Sequence, residues 1–422
     1  MVFLKKNKYF IKRIFILLIF SFLFWALQFP CLAAGAEKVV RIGLFAPVTG
    51  LTAADGIESK RGADLAIKEI NNSGGINGYK LEVLVADTKD RTPDQVLSAV
   101  YNLVNSNVDC LISSSGGGSH FEIRDIAEKN IPYLLTDIPS EVEKIIKPSP
   151  EKFPTIYCLA PNFNAYGTDP PRVMEKWITE GKFNPAERKF AIITNDSAYS
   201  LDISERMKKV LEKMEWTCVM YETVPTTDIY DWRPLLAKLR VYKPSFILNA
   251  DYVVGNAANF VKQFNEDPFN SLIFIQYAPV LQEFIDLTKE YSTGILYSLI
   301  GGPIYSPKAE KTIEFTKKYE EEYGEKPTGA YNVYVYEAVH VYADALRKVG
   351  NPKEYLEIGK AIGETDKDTV MGRIKFDKET HLALQGDEYI PLQLYQIWEG
   401  ERNLLFIEKF ATSDFQLPPW FK

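Results

Sequence analysis

Strand-like and helix-like segments alternate along this chain in two separate series, and that pattern restricts the folds open to it. Val39-Val40-Arg41-Ile42-Gly43-Leu44-Phe45 is a β-branched run. It is followed by the loop Pro47-Val48-Thr49-Gly50 and a helical pattern from Ser59 to Asn71, with Ala63, Leu65, Ala66, Ile67 and Ile70 on the apolar side. A strand over 81–86, a helix over 93–105, a strand over 109–113, a helix from about 120 to 129 and a strand over 133–136 complete the first series. The second series has strands over 190–194, 217–224, 245–249 and 272–276, with helices over 201–214, 232–241 and 256–264 between them. Strands that alternate with helices imply parallel pairing with helices on both faces. The irregular, proline-bearing stretch from Pro154 to Pro171 separates the two series, so two α/β lobes joined by extended crossings fit better than one continuous sheet. The 422 residues, 46% of them hydrophobic, are enough for two such cores.

In open α/β sheets ligands bind beyond the carboxyl ends of the strands. Residues 112 to 119, ISSSGGGS, occupy such a place, after a strand and before a helix. Backbone N–H groups and a helix N-terminus there favour an anion such as a carboxylate. The plainer alternative is a turn that needs glycine for positive φ and nothing more. A nucleotide phosphate is disfavoured, because no lysine follows the glycines as a P-loop requires. The dinucleotide fingerprint fails too, with Phe121 where its third glycine should stand.

The first 36 residues have the basic, apolar, small-residue order of a secretory signal peptide. Lys5, Lys6, Lys8, Lys12 and Arg13 precede an apolar run over 14–27, then Pro30 and Ala33-Ala34-Gly35-Ala36, which reads as a cleavage site after Ala36. An uncleaved membrane anchor is the competing reading, and a lipid anchor on Cys31 is disfavoured by Phe29 and Pro30 before it. Without this leader, 44 Lys and Arg face 56 Asp and Glu, a net charge near −12 that makes nucleic acid an unsuitable partner. Cys110, Cys158 and Cys218 are unevenly spaced and form no CxxC pair, so buried thiols are expected, with a single disulfide as the alternative in an exported protein.

The chain also resembles a known family, the periplasmic type I solute-binding proteins of ABC uptake transporters, in particular the leucine/isoleucine/valine-binding group. The resemblance spans the mature chain. It is carried by Ile42-Gly43 with Pro47-Val48-Thr49-Gly50, by GADLAIKEINNSGGINGYKLEV starting at Gly62, by the serine and glycine loop, and by Gly372-Arg373-Ile374-Lys375-Phe376-Asp377. It implies two doubly wound, Rossmann-like lobes joined by a hinge of three crossings, with 39–159 and 296–372 in the first lobe and 160–295 and 373–422 in the second. It implies further a small polar solute held in the cleft without a cofactor, closure on binding, and delivery to a membrane permease. Ser115, Gly116 and Gly117 match the family's first carboxylate-binding stretch, and Ile138 to Ser140 the second, with Ser140 as the hydroxyl. Tyr199 and Tyr252 match wall tyrosines of the second lobe.

Two departures bear on the ligand. Asp55 precedes Gly56 where relatives place an aromatic residue, and the stretch Ile275-Gln276-Tyr277-Ala278-Pro279 lacks the acid that pairs with the substrate ammonium in relatives. Either the ammonium partner has moved to Asp55 or Asp251, or the solute carries no amine; both acids standing solvated on the rim is the alternative. Tyr277 joins the candidate ligand contacts. Catalysis is not expected: His120, His340 and His381 form no metal-spaced pair, and there is no G-x-S-x-G elbow. The acid-rich stretch Asp87 to Asp94 reads as a loop and helix cap, and Tyr331, Tyr334, Tyr336 and Tyr342 as packing residues. A tethered sensory ectodomain of the same shape is the second functional reading, discriminated by whether the leader is retained.

Overall fold

The computed structural model describes residues 38–50, 52–115, 121–229 and 231–422. The leader with Cys31, and Gly116, Gly117 and His120, lie outside the described residues.

Two sheets organise the molecule. The first contains β1 (Lys38–Ala46), β2 (Tyr79–Asp87), β3 (Cys110–Ser113), β4 (Tyr133–Leu135) and β5 (Ile156–Cys158) in the order β2-β1-β3-β4-β5. Its pairings between β1, β3, β4 and β5 are parallel, with Ile42 opposite Cys110 and Leu111 opposite Tyr133. The second contains β6 (Lys189–Asn195), β7 (Thr217–Val224), β8 (Phe246–Ala250), β9 (Leu272–Ile275) and β10 (Leu296–Ile300), all parallel. After a short ribbon of β11 (Asp366–Thr369) and β12 (Gly372–Lys375), β13 (Leu392–Trp398) and β14 (Glu401–Phe406) extend it antiparallel at the β10 edge. Central parallel strands are covered by helices on both faces, which is why they read as continuous apolar runs: Val40, Ile42, Leu44 and Ile112 are fully buried in one lobe, Ile192, Ile247 and Ile273 in the other.

Three stretches connect the sheets, at 159–163, 301–309 and 376–391. Between the second and third, the chain returns to the first lobe. There the helix Tyr331–Val349 packs along the helix Ala53–Asn72 at a close approach: a Cβ on Gly62 would meet the Asn332 carbonyl oxygen at 2.0 Å.

The structure corrects two expectations. The segment expected to open the returning first-lobe portion at 296 starts with β10, which pairs with β9 and β13 in the second sheet, so the crossing falls after Ile300. The stretch from Pro154 to Pro171 is not irregular; it holds β5 and the start of the helix Asn164–Thr179. Pro170 and Pro171 remove the donors for the Tyr166 and Gly167 carbonyls and press their rings toward those carbonyls, and the helix's buried face of Tyr166, Met174 and Trp177 offsets that cost. Cys110 and Cys158 are buried free thiols, in line with the default expectation, and Cys218 is a half-buried one. Among the described residues, no helix is long and apolar enough to cross a membrane.

Candidate functional site

The loops that leave the carboxyl ends of both sheets face each other across a cavity of about 480 Å³, in the range of small-molecule sites. From the first lobe come Thr52 and Asp55 after β1, Asp90 and Arg91 after β2, Ser115 after β3, and Thr136 to Ser140 after β4. From the second come Ser197 and Tyr199 after β6, Tyr252 after β8, Tyr277 after β9, and Leu299 and Ile300 at the end of β10. Phe163 and Tyr166 from the first crossing's helix, and Tyr331 and Tyr334 from the returning one, complete the wall.

Asp55 sits in the first turn of the helix Ala53–Asn72, pressed against the preceding loop because Gly56 has no side chain; a Cβ there would meet the Pro47 carbonyl oxygen at 2.2 Å. Its carboxylate is buried. It accepts hydrogen bonds from the Tyr277 hydroxyl at Oδ1 (2.7 Å) and from the Ser115 hydroxyl at Oδ2 (3.2 Å). Burial pushes the carboxyl up to about 6, against the downward pull of the Tyr277 hydrogen bond, the Arg91 charge and the Ser115 hydrogen bond. The Tyr277–Asp55 bond joins the two lobes. So does Arg91, whose Nη2 lies 3.5 Å from the Tyr252 hydroxyl while its Nη1 lies 3.4 Å from that of Ser115.

Backbone conformation aims several of these side chains. Arg91 (φ 62°), Ile138 (φ 48°) and Tyr277 (φ 74°) are non-glycine residues in the left-handed half of conformational space, where each costs on the order of 1–3 kcal/mol. Tyr277, with ψ −57°, is the centre of a γ-turn of the strained, positive-φ kind, closed by the Ala278 N–H donating to the Gln276 carbonyl at 3.1 Å. Ile138 is β-branched and precedes a proline, two reasons for it to avoid this region. It caps the helix Pro139–Ile146, which carries Ser140 to the cavity. Strain of this kind collects at ligand clamps.

The aromatic wall is ordered from behind. Tyr199 has Phe163, Tyr166 and Tyr252 around it edge-on, with centroids 5.9, 6.2 and 6.2 Å away. Gln276 donates to its hydroxyl (2.9 Å) and accepts from Ser298 (3.1 Å). Tyr166 accepts from the Ile300 N–H (2.7 Å), and Tyr334 donates to the Ile300 carbonyl (3.0 Å), fixing both rings to the end of β10. Burial pushes the phenols of Tyr199, Tyr277, Tyr331 and Tyr334 well above their ordinary range, so all four are neutral.

Of the residues expected from the sequence, Asp55, Ser115, Ile138, Ser140, Tyr199, Tyr252 and Tyr277 are brought together on this cavity. Asp251 is not. It is fully buried behind the wall, accepting from the Asn195 and Asn256 amides (3.1 and 2.7 Å) and the Val253 N–H (3.1 Å), where it ties the ends of β6 and β8 together. Nor does Asp55 stand solvated on a rim. Tyr331 and Tyr334, expected to pack internally, line the cavity instead, because they fall in the first turn of their helix, where the chain re-enters the first lobe. Arg91 was hidden in a stretch that reads as loop and cap; its place directly beyond β2 is the signal that points to it. Among the described residues, no group of three or more His, Cys, Asp or Glu is arranged to hold a metal ion.

A family model described as "Periplasmic binding protein" matches residues 39–393. The Leu/Ile/Val-binding protein homolog 1 of Brucella abortus is 25% identical over 375 residues, covering 87% of this chain and 92% of its own length. A putative branched-chain amino acid ABC transporter structure from Silicibacter pomeroyi superimposes with a TM-score of 0.81 at 26% identity, over 91% of this chain and 100% of that one. The branched-chain amino acid transporter substrate-binding protein LivJ from Streptococcus pneumoniae, solved in complex with isoleucine, gives 0.70 at 21% identity over 86% and 98%. With its two parallel-sheet lobes and a match over most of its length, the chain belongs to the periplasmic binding protein family.

Proposed function

We propose that this protein is an extracytoplasmic solute-binding component of an ABC-type uptake system that captures a small polar organic solute, an amino acid or a relative of one, between its lobes. The observation that carries the reading is the 480 Å³ cavity, walled by loops from the carboxyl ends of both sheets and containing hydroxyls, one guanidinium, a buried carboxylate and a tier of tyrosines. Such a wall binds a molecule with a polar end and an apolar body. The jaws are assigned as 39–159 with 301–372, and 160–300 with 373–422. In this reading the solute docks on the first jaw through Ser115 and Ser140, with Gly116 and Gly117 of the same loop as further donors. The second jaw then brings Tyr199, Tyr252 and Tyr277 over it, and the closed form engages the permease. Closure is a population shift: the solute favours whichever form gives it contacts from both jaws.

The Leu/Ile/Val-binding relatives and the isoleucine complex of the Streptococcus pneumoniae protein support the amino-acid class, and with Gln276 where relatives place an acid, buried Asp55 is assigned as the partner for a solute's donors. Thermal-shift and calorimetric titration with branched-chain, aromatic and polar amino acids, their amides, small aromatic acids and sugars tests the reading. A solute with micromolar Kd present at millimolar concentration stabilises the protein by about 4 kcal/mol. If no compound in any of these classes shifts the melting point, the reading fails.

A further inference from the structure

We propose that Arg91 is the seat for a carboxylate on the solute, and hence that this site selects acids over their amides and over neutral sugars; the inference rests on reading the cavity as the solute site. Arg91 is a half-buried cation on the cavity wall, and among the described residues no carboxylate lies within 4.0 Å of it. Of its five N–H donors, only two find an acceptor there, and both contacts are hydroxyls at the far limit of hydrogen bonding, Ser115 at 3.4 Å and Tyr252 at 3.5 Å. A guanidinium held in a cavity with its fork of donors so loosely engaged is matched to a planar carboxylate, which it binds through two parallel charge-assisted hydrogen bonds.

The loop is built to hold it in place. Lys89 and Arg91 both take left-handed φ, 50° and 62°, turning the chain sharply after β2. Immediately after Arg91, Thr92 and Gln95 form a reciprocal capping box, with the Gln95 N–H on the Thr92 hydroxyl and the Thr92 N–H on the Gln95 side chain. The other cavity-lining lysine or arginine, Lys144, has a side chain that is 76% exposed and stands 3.8 Å from Glu141, so it belongs to the rim. Asp55, Asp90 and Asp137 share the wall with Arg91. Their negative charge disfavours a doubly charged group such as phosphate more than a singly charged carboxylate.

The test uses matched acid and amide probes on the mature protein: L-isoleucine and L-isoleucinamide, L-phenylalanine and L-phenylalaninamide, benzoate and benzamide, each titrated calorimetrically. The acid of at least one pair is expected to bind at least about 10-fold more tightly than its amide. Arg91→Gln is expected to weaken that acid about 10- to 100-fold, a charge-assisted hydrogen bond's worth, and to bring acid and amide within a few-fold of each other. Arg91→Lys is expected to recover part of the preference. Equal binding of acid and amide to the wild-type protein, or undiminished acid binding to Arg91→Gln, overturns the inference while leaving the solute-site reading intact. Binding of none of these acids also overturns the inference, whereas the solute-site reading falls only if the wider set of polar amino acids and sugars fails as well. Should Arg91→Gln fail to fold, the acid-to-amide ratio of the wild type decides alone.

Discussion

Asp55 places a charge where burial disfavours it, and that has a measurable consequence. Its carboxyl is pushed by burial from 3.8 to about 6. Above that pH the group is ionised in both the folded and the unfolded chain, and the folded form bears the desolvation cost. As pH falls from about 7 toward 4, the folded form takes up a proton that the unfolded chain does not, so this residue's contribution to stability rises, by on the order of 3 kcal/mol. Asp55→Asn removes that dependence. The variant without solute is expected to melt higher than the wild type at pH 7.5, with the difference shrinking toward pH 5, as read by paired melts across that range; parallel profiles would show that Asp55 is not the titrating group. The sequence disclosed Asp55 as out of pattern but not its surroundings, since its two partners, Ser115 and Tyr277, lie 60 and 222 positions away. Asp251 was just as visible and serves a different end, because only the fold decides that two asparagine amides reach it first.

Individual strands and helices were readable where one local pattern decides them. The helix Pro93–Asn105 begins with Thr92, Pro93 and Gln95, a capping box with proline in the first turn, and its limits follow from the sequence alone. Thr92→Ala is expected to cost about 1 kcal/mol of stability and, because Arg91 is the next residue back, to weaken solute binding further than the stability loss explains; a melt and a titration on the same variant separate the two. Gly62 opens the most specific segment of the sequence for a reason that no local pattern contains, the 2.0 Å approach of its missing Cβ to the Asn332 carbonyl. Gly62→Ala is expected to destabilise by about 1–3 kcal/mol as the two helices are forced apart, detectable as a lower melting temperature; an unchanged melt would mean that the helices part freely. What escaped was settled by tertiary context. β5 is three residues long, too short for periodicity, and the helix Asn164–Thr179 is held through two prolines by its buried face. The hairpin of β13 and β14 turns on Glu399-Gly400, both at positive φ (52° and 79°), a pair with less turn signal than Asn-Gly.

At the scale of the molecule, two sheets with parallel cores and loops that converge at their carboxyl ends followed from the order of elements, whereas the contacts between lobes did not. The shortest of the side-chain bonds between lobes described above is the Tyr277 hydroxyl on Asp55, at 2.7 Å, and the strained γ-turn at Tyr277 is what directs the ring across the gap. Arg91 to Tyr252, at 3.5 Å, is the weaker link. If closure is a population shift, the hydroxyl of Tyr277 biases it before any solute arrives. Removing that hydroxyl while keeping the ring, whose centroid lies 6.5 Å from that of Tyr331, isolates the effect. A hydrogen bond to a charged group contributes about 1.5–3 kcal/mol, so Tyr277→Phe is expected to raise the ratio of open to closed molecules at least about 10-fold. Small-angle scattering from the variant without solute then gives a larger radius of gyration than the wild type, and saturating solute brings the two together. Solute affinity falls in step, because closure now has to be driven by the solute alone. Matching scattering curves for the two empty proteins, together with equal affinities, would mean that the Tyr277–Asp55 bond follows closure without contributing to it.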